Sequence, residues 1–159
     1  MNAFPQCKGS LLSRPFLGQK DWGLFELRFE EALENIGIGE SVLCAQVDPI
    51  QAVAVVMATL LQGGGIFLAN PNWREKEQET LNQTAAFHKV FGSLSVQAKP
   101  SEAKTFESGR LMIPSGGSSG ALRFCVHSLD TLSSGVKNLW QFQGQVGSVS
   151  YTHLRAHET

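Results

Sequence analysis

The sequence is poor in cysteine, has no long hydrophobic run and carries no surplus of either charge. Its three cysteines, Cys7, Cys44 and Cys125, stand far apart and form neither a CxxC pair nor a Cys/His cluster. They therefore indicate neither a disulfide framework nor a zinc site, and we predict no metal-ligating residues. No apolar run approaches the roughly 20 residues of a membrane span. Because 13 basic residues nearly balance 14 acidic ones, the charge does not indicate a nucleic-acid partner.

The amino-terminal region also lacks the pattern of a secretory signal. Lys8, Arg14 and two prolines interrupt its only candidate segment,. Together with the cysteine content, this favours a reducing, cytoplasmic compartment. Cys44 and Cys125 lie in apolar runs, and we expect both to be small buried residues,. At 159 residues, the chain is long enough for one domain with a sizeable core.

The last residues, VSYTHLRAHET at 149–159, are set apart from the fold arguments. They can be back-translated into a nucleotide string that resembles the transposon-end adapter used to prepare sequencing libraries. We therefore interpret 149–159 as an adapter-derived artefact. On this hypothesis the natural gene continues past Ser148, and His153 and His157 carry no functional information.

Strand and helix patterns alternate in the first half of the chain. Residues 1–40 are interpreted as an irregular arm and a helix, whose apolar face we expect to contain Leu24, Leu27, Ala32, Leu33 and Ile36,. A buried strand is predicted over 41–47. A helix follows, with Asp48 as N-cap and Pro49 in its first turn. It is apolar nearly all round and should be buried, and a second strand is predicted over 66–69.

The next segment is more polar. The Asn70-Pro71-Asn72 sequence predicts the start of a helix with an Asn72–Glu75 capping box and an end at Gly92,. His88 would then lie on the solvated surface of this helix. Trp73 is expected to pack beneath the start of the helix.

The remaining elements define the fold class. We predict short strands over 94–96, 110–113 and 123–126, a polar loop over 99–109, and a helix over 129–141 with Ser128 as N-cap,. Alternating strands and helices require crossover connections, so we predict an α/β fold with a mostly parallel sheet flanked by helices. The last two strands enclose a single loop, which predicts a hairpin added to this sheet.

That loop is the glycine- and serine-rich part of the stretch MIPSGGSSGALRF. Its glycines let backbone N–H groups approach a ligand, and successive N–H groups can form an anion-binding nest. The serine hydroxyls are further donors, and Arg123 supplies a positive charge suited to phosphate oxygens. Composition alone favours a simple turn over a phosphate-binding loop. The residues around the loop are therefore needed to distinguish these two interpretations.

Three common motifs do not match this stretch. No Lys-Ser or Lys-Thr follows Gly120, as P-loop NTPases require,. The dinucleotide pattern G-x-G-x-x-G is absent, and no helix starts at the loop. Residues 116–120 nearly match the nucleophile elbow G-x-S-x-G, but that motif leads into a helix and RFCV predicts a strand,.

The stretch resembles the phosphate loop of adenylate-forming enzymes, the AMP-binding acyl-CoA ligase superfamily, whose motif is roughly T-S-G-T-T-G-x-P-K-G between two strands. The residues that the resemblance assigns to phosphate binding are Ser115, Gly116, Gly117, Ser118, Ser119, Gly120 and Arg123. Arg123 stands where the motif has lysine, which keeps the charge but changes the contact geometry. Leu122 and Phe124 replace the proline and the last glycine of the motif.

The flanking residues are similar to one group within this superfamily. His127 follows Arg123 by four residues, a spacing that resembles o-succinylbenzoate–CoA ligases and implies a contact with the acid substrate. The segment DPIQAVAVVMATLLQGGGIFLANPNW is also similar to this group. The resemblance runs from about Ser41 to Trp140, and it implies that 41–148 is part of an AMP-binding domain that ends after the phosphate loop and the next helix.

The resemblance implies a two-step reaction. ATP and a carboxylic acid, expected to be o-succinylbenzoate, give an acyl-adenylate and pyrophosphate, and CoA then displaces AMP on the way to menaquinone or phylloquinone. The loop would hold the β- and γ-phosphates by positioning and charge stabilisation. Mg²⁺ is also expected. Its acidic ligand, the ribose-binding acid and the catalytic lysine belong to later motifs that the sequence lacks, so we expect the chain by itself to be inactive.

Alternatives stay open from the residues alone. The acid could be another aryl or fatty acid, because the acyl pocket would lie beyond Ser148. A non-catalytic α/β binding module would use the same loop only as a turn. His127 is equally well explained as a buried structural histidine. Packing explains Cys125 better than nucleophilic chemistry, since no base can be assigned to it, and we predict no catalytic residue.

Overall fold

Helices and strands alternate along the chain in a computed structural model that describes residues 19–116, 122–135 and 138. The elements are α1 (Gln19–Asn35), β1 (Ser41–Ala45), α2 (Pro49–Leu61), β2 (Gly65–Leu68), α3 (Glu75–Thr84), β3 (Lys89–Gly92), β4 (Arg110–Gly116) and β5 (Leu122–Ser128). Residues 129–135 are helical as well. The Ser128 hydroxyl accepts a hydrogen bond from the Thr131 N–H at 3.1 Å, which confirms the predicted N-cap. The end of that predicted helix, including Val136, Leu139 and Trp140, lies outside the described residues.

The five strands form one sheet in the order β3-β1-β2-β4-β5. Strand β1 pairs in parallel with both β2 and β3, and β2 pairs in parallel with β4. Among these strands only β5 is antiparallel, against β4. The predicted α/β class, with a mostly parallel sheet, flanking helices and an added hairpin, is therefore confirmed.

Helices α1 and α2 cover one face of the sheet. Val42 and Cys44 of β1 point to this face, and with Ile66 of β2 they pack against Ala54 and Val55 of α2. The alternation of side chains along β1 sends its other residues to the opposite face. The parallel strands are thus buried on both sides, as such strands require.

The apolar face predicted for α1 is confirmed toward its carboxyl end, where Ala32 and Ile36 are buried, and is wrong in its first half. Leu24 and Leu27 were expected in the core, yet they are 39% and 52% exposed. Phe25 and Phe29 are buried instead, and their rings stack with centroids 5.7 Å apart. Each residue turns a helix by about 100°, so burying the aromatic pair, which has more apolar area, carries the two leucines to the outside.

Helix α2 begins as predicted. Asp48 Oδ1 accepts hydrogen bonds from the N–H groups of Ile50 and Gln51 at 2.8 and 3.2 Å, and Pro49 is the first helical residue. The buried residues of this helix are Ala54, Val55, Ala58 and Thr59. Most of its other apolar side chains are half-buried, so the expectation of complete burial is met in part.

The segment predicted as one helix up to Gly92 contains a helix and a strand. Helix α3 follows Arg74, which makes no side-chain capping bond, so the predicted Asn72–Glu75 capping box is wrong. Asn70 Oδ1 instead accepts a hydrogen bond from the Asn72 N–H at 2.9 Å, which forms a local turn,. Beyond α3 the chain becomes extended and β3 pairs with β1, because tertiary pairing overrides the helical pattern.

His88 was expected on the solvated surface of that helix, and this is also wrong. The residue is half-buried and directly precedes β3. Its N–H donates to the Ser41 carbonyl oxygen at 2.8 Å, and its Nδ1 accepts from the Ser41 N–H at 3.0 Å. The pairing of β1 with β3 is thereby extended by one residue at its amino end.

Helix α3 and the residues after β3 cover the opposite face of the sheet. Leu43 of β1 and Leu81 of α3 are fully buried there. Leu94 and Val96 are buried in the same cluster, but they belong to no strand, so the strand predicted over 94–96 is wrong. Trp73 packs against this cluster at the start of α3, as predicted.

The polar loop predicted over 99–109 is confirmed, and it is anchored at the amino end of β2. The Phe106 N–H donates to the Gly39 carbonyl oxygen at 2.9 Å. The Phe106 ring lies over Gly65, where a Cβ atom would collide with it. Lys104 Nζ in turn lies 5.9 Å from the centre of this ring. The loop therefore leads into β4 along a fixed path.

The two described cysteines differ in burial. Cys44 is buried, as predicted, whereas Cys125 is exposed, contrary to expectation. Strand β5 is the outermost strand of the described sheet, while α2 packs on β1 and β2. None of the described helices combines the length and apolar character needed to cross a membrane.

Candidate functional site

The glycine- and serine-rich stretch lies at the carboxyl edge of the parallel sheet. The pairing of β2 with β4 ends at Phe67 and Met112, whereas β4 continues to Gly116. The last four residues of β4 therefore extend about 13 Å beyond this pair, together with the start of β5 that is paired with them. Ligands of open α/β sheets bind outside the carboxyl ends of the strands, which is where this hairpin projects.

Ser115 and Arg123 face each other just below the tip of the hairpin. They are directly paired across the antiparallel ladder, as are Gly116 and Leu122. Directly opposed residues of such a ladder point to the same face. The Ser115 hydroxyl donates to the Arg123 carbonyl oxygen at 3.4 Å, so it lies beside the backbone of the residue that carries the positive charge.

The Arg123 side chain is exposed at this position. Within the described ranges, no aspartate or glutamate forms an ion pair with its guanidinium group. An exposed guanidinium without an internal partner offers several N–H donors to an anion such as phosphate. The charge is thus placed where the connecting loop leaves the ladder.

The loop residues Gly117, Ser118, Ser119 and Gly120 lie outside the described residues. Their neighbours fix the ends of the loop, because Gly116 and Leu122 are paired and residues 117–121 connect them. Of the predicted phosphate-binding residues, the structure brings together Ser115, Gly116 and Arg123.

His127 lies apart from this group. It pairs with Leu111 and is half-buried. It shares a face of β5 with Arg123, because residues two apart along a strand point the same way. Four strand residues separate the two side chains by about 13 Å, so one phosphate group cannot contact both.

The sheet topology marks a position at the same edge that the residue patterns did not identify. Strand β1 is followed by α2 on one face of the sheet, whereas β2 is followed by α3 on the other. In open α/β sheets, ligands bind outside the carboxyl ends of strands whose connections diverge in this way. Asp48 and Asn70 follow these two strands, but both side chains accept hydrogen bonds from nearby backbone N–H groups. The position depends on strand order, which residue patterns alone do not give.

A concave surface lies on the face covered by α3. It is an open cavity of about 590 Å³, lined by Phe67, Lys104, Thr105, Phe106, Glu107, Ser108, Arg110, Met112, Phe124 and Val126. Arg110, Met112 and Val126 come from the half of the hairpin that is distant from its tip, whereas Phe124 is paired with Pro114 in the other half. Neither Ser115 nor Arg123 borders this cavity, so it is separate from the tip.

No protein-family model matches the chain, and no curated protein sequence matches it. In the described part of the chain, no three His, Cys, Asp or Glu side chains lie together in a way that could hold a metal ion. The resemblance to adenylate-forming enzymes therefore rests on the motif residues alone.

Proposed function

We propose that the chain is the phosphate-loop part of an adenylate-forming acid–CoA ligase. The observation that supports this most is the pairing of Ser115 with Arg123 in a hairpin that projects beyond the carboxyl edge of the parallel sheet. A hydroxyl and a cation at the mouth of a glycine-rich loop are the donors that a polyphosphate needs. The β- and γ-phosphates of ATP are the proposed ligands.

The proposed reaction begins with attack of a carboxylate oxygen on the α-phosphorus of ATP, which forms an acyl-adenylate and releases pyrophosphate. The CoA thiol then attacks the acyl carbon and releases AMP. The proposed acid is o-succinylbenzoate, in menaquinone or phylloquinone biosynthesis. Arg123 binds the phosphates and stabilises the charge that develops on the leaving pyrophosphate. The loop glycines and serines orient the same oxygens, and His127 contacts the acid.

Mg²⁺ and CoA belong to the same proposal, but we assign no residue of this chain to either. The described residues offer no cluster that could hold the ion. We expect the 159-residue chain to bind ATP without forming an acyl-adenylate, because it lacks the motifs that supply the ribose-binding acid, the Mg²⁺ ligand and the lysine in the family it resembles. Release of pyrophosphate from ATP, Mg²⁺ and o-succinylbenzoate by the purified chain would contradict this expectation.

Titrations of the purified chain with ATP, pyrophosphate and AMP test the phosphate assignment. We expect Arg123→Ala to weaken ATP and pyrophosphate binding by about tenfold or more, since a charge-assisted hydrogen bond is lost. AMP lacks the β- and γ-phosphates, so its binding should not change. Arg74→Ala is the matched control, because Arg74 is also exposed and makes no capping bond.

This experiment distinguishes an adenylate-forming ligase from a non-catalytic binding module. If Arg123→Ala and Gly117→Ala both leave ATP affinity unchanged, the loop is a turn and the chain is a non-catalytic α/β binding module. If Arg123→Ala weakens AMP as much as ATP, the arginine contacts the α-phosphate and the assignment to the β- and γ-phosphates fails. Replacement of o-succinylbenzoate by other aryl or fatty acids in an assay of the complete enzyme tests the acid.

A further inference from the structure

His88 and Ser41 are joined by three polar contacts at the amino end of the β1–β3 pair. The His88 N–H donates to the Ser41 carbonyl oxygen at 2.8 Å. The Ser41 N–H donates to His88 Nδ1 at 3.0 Å, and the Ser41 hydroxyl oxygen lies 2.9 Å from the same nitrogen. The His88 ring thus takes the place of a backbone acceptor at the end of the ladder.

The backbone donor fixes the protonation state of the ring. A peptide N–H cannot accept a hydrogen bond, so Nδ1 must present its lone pair to Ser41 and the proton of the neutral imidazole is on Nε2. Addition of a proton to Nδ1 would place two donors against each other. The Ser41 hydroxyl could rotate to accept that proton, but the fully buried Ser41 N–H would lose its partner.

Charged groups around His88 come from the α1–β1 turn, from β3 and from the segment after β3. Glu40 lies close enough for His88 to contribute to the lowering of the carboxyl pKa. Lys89 Nζ pairs with Glu40 Oε2 at 3.1 Å and donates to the Asn35 carbonyl oxygen. Lys99 binds the Asn82 carbonyl oxygen at 2.8 Å through its ammonium group.

We propose that His88 is a proton-sensitive latch that holds the amino end of β3 against β1. Protonation at Nδ1 removes the acceptor of the Ser41 N–H and opens this end of the pairing. Strand β3 is short and is an edge strand of the described sheet, so few other backbone hydrogen bonds oppose the opening. The inference does not depend on the proposed ligase function.

Amide hydrogen exchange of the 159-residue chain tests the latch. We expect protection of the Ser41 amide to be about tenfold lower at pH 5 than at pH 8. This value corresponds to the loss of one hydrogen bond and is measured after correction for the intrinsic pH dependence of exchange. The Val55 amide in α2 serves as the internal reference.

His88→Asn is the matched variant, because the asparagine oxygen can take the position of Nδ1 as an acceptor that does not titrate. We expect it to keep Ser41 protection and to remove the pH dependence, whereas His88→Ala loses protection at every pH. The nitrogen chemical shifts of His88 in the unmodified chain report the state of Nδ1 even where the alanine variant does not fold. Unchanged Ser41 protection across the pH range, or an equal pH dependence in His88→Asn, would overturn the proposal.

Discussion

Gly92 of β3 lies directly opposite Ala45 of β1, and the main chain of Ala45 leaves no room for a side chain there. A Cβ atom at this position would collide with the Ala45 carbonyl oxygen, and the Gly92 φ angle is +127°. L-residues with side chains rarely adopt this backbone conformation. Two independent features, the close approach and the positive φ, therefore require glycine at the end of β3.

Replacement of Gly92 by alanine should therefore destabilise the fold. We expect Gly92→Ala to lower the free energy of unfolding by about 1–3 kcal/mol, as is typical of a residue held in a sparsely populated region. Gly23→Ala is the control, since no atom of the described residues lies within 4 Å of a Cβ at Gly23 in α1. Alanine there should raise the free energy by about 0.5–1 kcal/mol. Urea denaturation measures both, and changes of the same sign would contradict the structure.

The phase of α1 can be tested by a pair of neighbouring substitutions. Phe25 is 1% exposed and Leu24 is 39% exposed. Phe25→Ala opens a cavity beside Phe29, so we expect a loss of about 3–5 kcal/mol in the free energy of unfolding. Leu24→Ala should change it by no more than about 0.5 kcal/mol. Thermal or urea unfolding gives both values, and a larger loss for Leu24→Ala than for Phe25→Ala would show that Leu24, and not Phe25, lies in the core.

These comparisons show which parts of the fold local sequence determines. The start of α2 was predictable because Asp48 and Pro49 act on backbone groups within three residues of themselves. The buried residues in the first half of α1 were not predictable, because leucines and phenylalanines alternate there and only packing against α2 selects between them. His88 could not be placed from the sequence, since its partner Ser41 is 47 residues away.

The candidate site was likewise predictable from the sequence only in part. The Gly/Ser loop and Arg123 were recognisable because they are close in sequence and lie between two strand patterns. Their projection beyond the carboxyl edge depends on the pairing of β4 with β2, which brings together segments separated by the whole of α3 and β3. The exposure of Cys125 likewise follows from the outermost place of β5 in the sheet, and no local pattern gives strand order.

The Glu40 carboxyl group makes the free energy of unfolding depend on pH in the acid range. Burial of the carboxyl group acts to raise its pKa, but the hydrogen bond from the Gly37 N–H and the pairing with Lys89 outweigh it, and the pKa is lowered from 4.5. A carboxyl group with a lowered pKa stabilises the fold above the unfolded value, and that contribution is lost as the pH falls through the folded value. The contribution is modest, because the side chains of Lys89 and Glu40 are 39% and 24% exposed,.

Glu40→Gln removes this charge while keeping an oxygen that can accept from the Gly37 N–H. We expect the variant to be less stable than the unmodified chain by up to about 1 kcal/mol at neutral pH. The difference should shrink as the pH falls below about 4 and through the lowered pKa of the folded state, because the carboxyl group is protonated in both folded and unfolded states only below that pKa. Glu79→Gln, on the exposed surface of α3, should show no comparable difference at either pH. Urea denaturation of the three proteins at both pH values measures the effect, and an equal destabilisation of Glu40→Gln at acid and neutral pH would show that the charge of Glu40 is not its cause.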